Sequence, residues 1–456
     1  MSWATRANAT LAYLALVLVF GGASAASPLG NVSLQLLGAG LITWSLLDRG
    51  AEGTLHTGLR RFGIALALLM AVQFLPLPPS LWQHLPGRGP VYEGFALIGA
   101  PAPWLTLSLN PWHSLASFAW WIPAAALFLS MRTSGAPLSR HLIAVITAVA
   151  AVSVVFGGLQ ATAGAFYFYE ITNIGEGPGF FSNSNHQGSF LLCVLALWGC
   201  WAIGEARGSS LTAKGLDTTR ALYSGVALLL VVGVVVSGSL ACQLLLIPVL
   251  AALALALKPD LRIPLLVVLI GALLVLGGLG AFLLYGPADN DLLVKGTVPG
   301  ISRQDFLITG MKIVGDFAPI GSGSGTFVEL YRWYEDPAQV STTFVNHAHD
   351  DLLELLIETG VFGLAAVALF LTWFLPRAWS LWGGARRNVV PLAASMVIAT
   401  ELLHSLVDYP LRTAAMSSLV AIACVLMVRP ADPPRSRSRR GQRPRSGESS
   451  REMLQI

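Results

Sequence analysis

The stretch "NHAHDDLLELLIETGVFGLAAVALFLTWF", residues 346–374, joins two unlike halves. Its first fifteen residues, ending at Gly360, crowd two histidines and four carboxylates beside leucines. The rest is almost wholly apolar and approaches the roughly 20 residues needed to cross a bilayer. Read at helical spacing, Asp350, Glu354 and Glu358 fall on one face, so a helix is expected from near His349. Gly360 should break it before the apolar run continues as a span. The segment thus predicts a polar group standing at a membrane surface.

The whole chain repeats the pattern. Of its 456 residues 54% are apolar and 11% charged, with mean hydropathy +0.66. A soluble protein of ordinary composition carries roughly a quarter charged residues. Runs of spanning length are expected at 8–24, 31–47, 62–77, 113–130, 141–160, 186–203, 221–237, 239–257, 264–285, 355–376, 389–407 and 411–428. The expected fold is therefore all-α, a polytopic membrane protein of about 12 transmembrane helices. Helices 1–9 occupy 1–285. A large external loop with short amphipathic helices occupies 286–354, helices 10–12 occupy 355–428, and a basic tail occupies 429–456. "ASAAS" (23–27) resembles a signal-peptidase site, and an uncleaved first helix is expected. Cys193, Cys200, Cys242 and Cys424 all fall inside spans, with no ligand-type spacing, so neither disulfide nor metal site is expected.

Basic residues set the orientation, since Lys and Arg gather in cytoplasmic loops. With the N-terminus cytoplasmic, 22 of the 28 basic residues lie inside and six outside. Both termini are then cytoplasmic. The tail from Arg429, rich in Pro, Ser and Arg, should be disordered and suits an anionic leaflet better than nucleic acid. The six outside are Arg88, Lys295, Arg303, Lys312, Arg332 and Arg412, and four of them lie between Gly286 and Glu354, the longest external connection. Loops of such length are commonly functional.

Three polar clusters face outward. The opening segment has a structural reading, with Asp350 and Asp351 as caps and Glu354 and Glu358 as a solvated face. It has a chemical one too, because a histidine beside a carboxylate suits general-base work. His347 and His349 could also form a metal pair, although no third ligand shows a clear spacing. "GPGFFSNSNHQGSF" (177–190) places Asn183, Asn185 and His186 at the mouth of the sixth span, and "HSLVDYPLR" (404–412) places His404, Asp408, Tyr409 and Arg412 between the last two. Upstream, Phe306, Ile308, Met311, Ile313 and Val314 suggest a surface amphipathic helix carrying Arg303 and Lys312. "GSGSG" (321–325) is a permissive turn rather than a P-loop, as no Lys-Ser/Thr follows. "DND" (289–291) reads as the polar start of a loop.

These motifs together resemble the bacterial O-antigen ligase and O-antigen or exopolysaccharide polymerase family. "AHDDLLELLIETG" is similar to its His motif and Leu-rich helix, and "PIGSGSGTF" (319–327) to its Gly-rich turn. Arg303 matches the Arg that opens the region. "GFFSNSNHQG", "HSLVDYPLR" and the pair "LPLPPSLW" and "LTLSLNPWHSL" (75–82 and 105–115) resemble other elements, so the likeness runs from roughly 70 to 412. Two departures stand out. The Asn usual after the motif histidine is Asp350, and "SGSLAC" (237–242) lacks the Arg of a Ser-Arg-x-Gly element.

The resemblance implies a multi-pass, lipid-carrier glycosyltransferase of the bacterial inner membrane, active on the periplasmic face. It would move a glycan from an undecaprenyl diphosphate carrier to a hydroxyl of another glycan or of lipid A–core, without metal or other cofactor and with no nucleic-acid partner. Membrane lipid would surround it. His349 is the implied base with Asp350 orienting it, and Arg303, Lys312, Arg332 and Arg412 are candidates for the diphosphate. His347, Asn183, Asn185, His186, His404 and Asp408 would bind substrate. A transporter or lipid flippase is the rival reading. Such proteins carry ionisable groups near mid-span, where Glu401 is the evident candidate.

Overall fold

The computed structural model describes residues 3–24, 28–47, 57–133, 140–208, 213–258, scattered positions from 271 to 281, 303–337, 340, 345–383 and 388–428. The chain is an all-α, multi-pass membrane protein. Its helices are α1 (Trp3–Phe20), α2 (Pro28–Leu47), α3 (Thr57–Val72), α4 (Pro79–Trp82), α5 (Gly89–Leu97), α6 (Pro111–Ala119), α7 (Ile122–Thr133), α8 (Arg140–Ala163) and α9 (Ser184–Gly208). They continue as α10 (Ala213–Val236), α11 (Leu240–Leu257), α12 (Arg303–Phe317), α13 (Phe327–Tyr334), α14 (Asp351–Gly383), α15 (Val389–His404) and α16 (Ala414–Val428). Among the described residues seven helices are long and apolar enough to span, and Arg6–Phe20, Val389–His404 and Ala414–Val428 are shorter apolar helices. Each expected run meets a helix except 264–285, most of which lies outside the described residues, as do Lys295, the "DND" stretch and the tail.

Proline moves two of the expected boundaries. The third span was expected at 62–77 but its helix stops at Val72. Pro76, Pro78 and Pro79 cannot carry a helix on, and Pro76–Leu77 instead pairs antiparallel with Leu105–Thr106. The fourth is divided between α6 and α7. Pro123 opens α7, and its ring cannot sit over the carbonyl of Ala119 in a continuous helix.

The α9 helix is the centre of the bundle and packs on α8, α10, α11 and α15. Phe190 to Leu197 are all at most 2% exposed, as a helix apolar on every side requires. The α10 helix lies outside it and turns Leu222, Leu228, Val232 and Val235 outward, a face suited to lipid. The four cysteines are free and buried.

A second, smaller core lies apart from the bundle. Phe306, Ile313, Phe317, Phe327, Leu330 and Tyr331 of α12 and α13 pack with Leu353 and Ile357 at the start of α14. This layer explains the break in α14. Gly360 has φ 60° and ψ −150°, outside helical geometry. The carbonyls of Ile357 and Glu358, freed there, accept from Ser322 N–H at 3.1 Å and Gly323 N–H at 2.8 Å. The glycine-rich turn therefore caps the broken helix. A Cβ at Gly360 would run into the carbonyl of Pro319, so only glycine fits.

Candidate functional site

The clusters quoted from distant parts of the sequence meet at Asp408. Its Oδ2 accepts from Asn185 Nδ2 at 2.6 Å and Asn183 Nδ2 at 3.5 Å, both at the start of α9. Its Oδ1 accepts from the Tyr409 amide at 2.9 Å and lies 3.5 Å from His349 Nδ1 and 3.8 Å from His186 Nε2. Asp408 is fully buried. Burial alone would raise its pKa, but the neighbouring imidazoles of His186 and His349 outweigh that and hold the carboxyl well below its ordinary 3.8.

His349 stands just before α14 with φ 52°, in the left-handed region. A non-glycine residue there carries backbone strain that its surroundings must hold. Those surroundings are specific. The imidazole stacks on Phe306 at 5.2 Å and 16° and meets the ring of Tyr409 edge-on at 5.1 Å. Burial lowers its pKa below 6.5, with Arg303 and His347 adding to the effect and Asp408 opposing it. With Nδ1–H turned to Asp408, Nε2 keeps its lone pair for a proton from elsewhere.

Arg303, the first residue of α12, donates to the carbonyl of Val407. It lines, with His349, Asp350, Leu307, Ala348 and Leu353, one hollow of about 20 Å³. That is room for a water or a hydroxyl. Burial lowers the pKa of Arg303, while Asp408 and Tyr409 support its charge. A cation and a neutral base thus share a small polar recess.

A second imidazole stands beside the first. His347 Nδ1 lies 2.9 Å from Glu354 Oε1, and its Nε2 is 3.0 Å from Ser24 Oγ. Tyr409 packs against three imidazoles, with ring centroids 4.1 Å from His347, 4.8 Å from His186 and 5.1 Å from His349. His404 lies buried beneath, its Nε2 3.9 Å from Cys242 Sγ, and that sulfur donates to the Asn185 carbonyl at 3.3 Å. Glu401, three residues earlier, is buried between Ser189 and Cys193.

Several expectations change. Asp350 does not orient His349; its Oδ1 caps α14 by accepting from Leu352 and Leu353 amides at 2.8 and 3.0 Å. The partner of His349 is Asp408. Glu354 and Glu358 form no solvated face, being 1% and 4% exposed. Arg412 explains their burial: it reaches Asp351 at 3.3 Å, Glu354 at 3.0 Å and Glu358 at 3.3 Å. Its guanidinium, expected on a diphosphate, is thus matched by the protein's own carboxylates, which keep it charged against burial. Lys312 and Arg332 are exposed and line no part of the hollow. Of the four expected phosphate ligands, only Arg303 borders it.

Phe306 and Tyr409 were absent from the expected site residues. A phenylalanine at the apolar position of an amphipathic helix signals only core. Tyr409 could have been weighed from its place beside Asp408.

Comparison with known proteins adds one match. The family model described as O-antigen ligase matches residues 225–368, which include Arg303, His347 and His349 but not Asp408 or Arg412. No curated protein matches the chain.

Proposed function

We infer that this chain, whose residues 225–368 match the family model described as O-antigen ligase, transfers a glycan from an undecaprenyl diphosphate carrier to an acceptor hydroxyl at the periplasmic face of the inner membrane. The observation that carries the reading is the shared recess of Arg303 and His349, with Asp408 behind the imidazole. The basic-residue bias supports placing that recess outside and both termini in the cytoplasm.

In the proposed step the acceptor oxygen attacks the anomeric carbon of the donor sugar. Its proton passes to His349 Nε2 as the new C–O bond forms. The bond from that carbon to the phosphate oxygen breaks, and its electron pair leaves with the carrier diphosphate. Arg303 meets the charge that grows on the leaving group, and a fixed cation helps most where charge is greatest, in the transition state. Guanidinium geometry suits paired phosphate oxygens. Asp408 stabilises the imidazolium that forms and fixes the tautomer that can accept. No step calls for a metal or nucleotide.

The acceptor decides between polymerase and ligase, and the late "HSLVDYPLR" element favours a polymerase. The test is to incubate purified protein with a carrier-linked repeat unit, with and without lipid A–core. Long glycan without core marks a polymerase, and core-attached glycan marks a ligase. Carrier-linked repeat that stays intact under both conditions refutes glycan transfer.

A further inference from the structure

The recess at His349 and Arg303 holds about 20 Å³. A hydroxyl fits there, but the bulk of a sugar chain must be held elsewhere. At the other end of α12 lies a cleft of about 300 Å³, bordered by Gly87, Gly89, Asp316, Phe317, Trp333 and Tyr334. That is within the range of small-ligand pockets, about 300–1,000 Å³. The helix rises 1.5 Å per residue, so Leu307 at the recess and Asp316 at the cleft stand about 14 Å apart along it.

The cleft is built from both sides. Gly87, at φ 71°, packs close to the ring of Phe317, where a Cβ would collide with the ring atoms. Arg88 beneath is 2% exposed; it donates to the carbonyls of Leu107 at 2.7 Å and Gly321 at 3.3 Å, and sits 5.6 Å from the Phe317 centroid. Its charge therefore serves the wall and not the opening. On the facing side Trp333 is 60% exposed. Tyr334 Oη donates to Asp316 Oδ2 at 2.6 Å, and Asp316 takes no other protein donor among the described residues.

That chemistry selects one class of ligand. Among the described residues no cation borders the cleft, and Asp316 would repel phosphate. An acyl chain would bury the carboxylate against hydrocarbon at a cost. A saccharide fits both features: its C–H face lies on an indole, and its hydroxyls donate to the carboxylate and to the phenol oxygen, whose own O–H is given to Asp316. We propose that this cleft is a distal glycan subsite, gripping a sugar unit of the donor or acceptor chain away from the reacting bond. Trp333 is the platform, and Asp316 and Tyr334 are the hydroxyl partners. The identity of the bound chain rests on the glycan-transfer reading above; saccharide binding itself does not.

The test uses the full-length protein in lipid nanodiscs and the producing cell's own polysaccharide, released by mild acid and sized into single-repeat and several-repeat fractions. Direct binding is measured by calorimetry. Transfer is measured with a long donor and short acceptor, then with a short donor and long acceptor. The variants are Trp333→Ala, Asp316→Asn and Gly89→Trp. The last adds bulk at the border of the cleft, at a position where a Cβ meets nothing within 4 Å.

Each variant should weaken binding of the several-repeat fraction roughly tenfold, the loss typical of one anchor. Each should raise KM for the long substrate in one arm, which identifies the chain held, and leave kcat and single-repeat transfer unchanged. Equal effects on long and short substrates, or none, overturn the subsite. Wild-type protein that binds the several-repeat fraction without transferring it would refute the function proposed above and leave the subsite standing. Wild-type protein that transfers but shows no such binding would do the reverse.

Discussion

Asp408 Oδ1 and His349 Nδ1 lie 3.5 Å apart although one lies within the α15–α16 connection and the other precedes α14. The backbone joins their segments as well, since the Asp351 amide donates to the carbonyls of Ser405 at 3.0 Å and Asp408 at 3.2 Å. The dyad is thus held by main chain and by side chain.

Replacing Asp408 with Asn keeps the size and the Asn185 contact in part but removes the charge behind the imidazole. Transfer by the Asp408→Asn protein should fall by about 10²–10⁴-fold, the range of a disabled general base. Insertion and elution as a monodisperse peak should persist. Wild-type turnover in this variant, measured with carrier-linked substrate, would remove Asp408 from the reaction.

The pH profile follows from the depressed pKa of His349. The base works when neutral, so activity should hold as pH falls through 6.5 and decline only below it. Asp408 is what supports the protonated form, so in Asp408→Asn the residual activity should persist to still lower pH. A wild-type acid limb above pH 6.5 in the rate of a single turnover would contradict this assignment.

Arg412 is the counterion of Asp351, Glu354 and Glu358. Arg412→Met leaves three carboxylates, two of them buried, without it. Stripping one partner from a buried ion pair costs about 3–5 kcal/mol, and the loss should show as a lowered midpoint in thermal unfolding in detergent. Arg412→Lys, a point charge in place of a fork, should recover part of it. An unchanged midpoint in Arg412→Met would show that the network adds nothing to stability.

Gly360→Ala puts a methyl group against the Pro319 carbonyl at φ 60°. A left-handed non-glycine residue costs about 1–3 kcal/mol before the collision is counted. The variant should express poorly and melt earlier, whereas Gly158→Ala, inside α8 where a Cβ meets nothing within 4 Å, serves as a helical comparison. Equal melting of the Gly360→Ala and wild-type proteins would mean that the joint can re-form without glycine.

Much of this was legible in the chain. Apolar runs found the helices, because membrane spans leave little choice of composition, and prolines account for the displaced ends at Val72 and Ala119. The clusters around Asn185, His349 and Asp408 were each visible as polar residues at the ends of spans. Their convergence was less so. Periodicity places Glu354 and Glu358 on a common face of a helix, but cannot say whether water or Arg412 faces them. Nor does it fix the register at the helix start. Asp350 and Asp351 look interchangeable in "HDD"; one residue of offset makes the first a cap and the second an ion-pair partner.

The joint at Gly360 also bears on how the protein meets membranes of different thickness. A span tilts to match a thinner hydrocarbon layer at a cost of fractions of a kcal/mol per Å of mismatch. The nine residues from Asp351 to Thr359 are tied by Ser322 and Gly323 to the layer of α12 and α13, and by Arg412 to the α15–α16 connection. A change of tilt taken up at this glycine would leave the histidines in register.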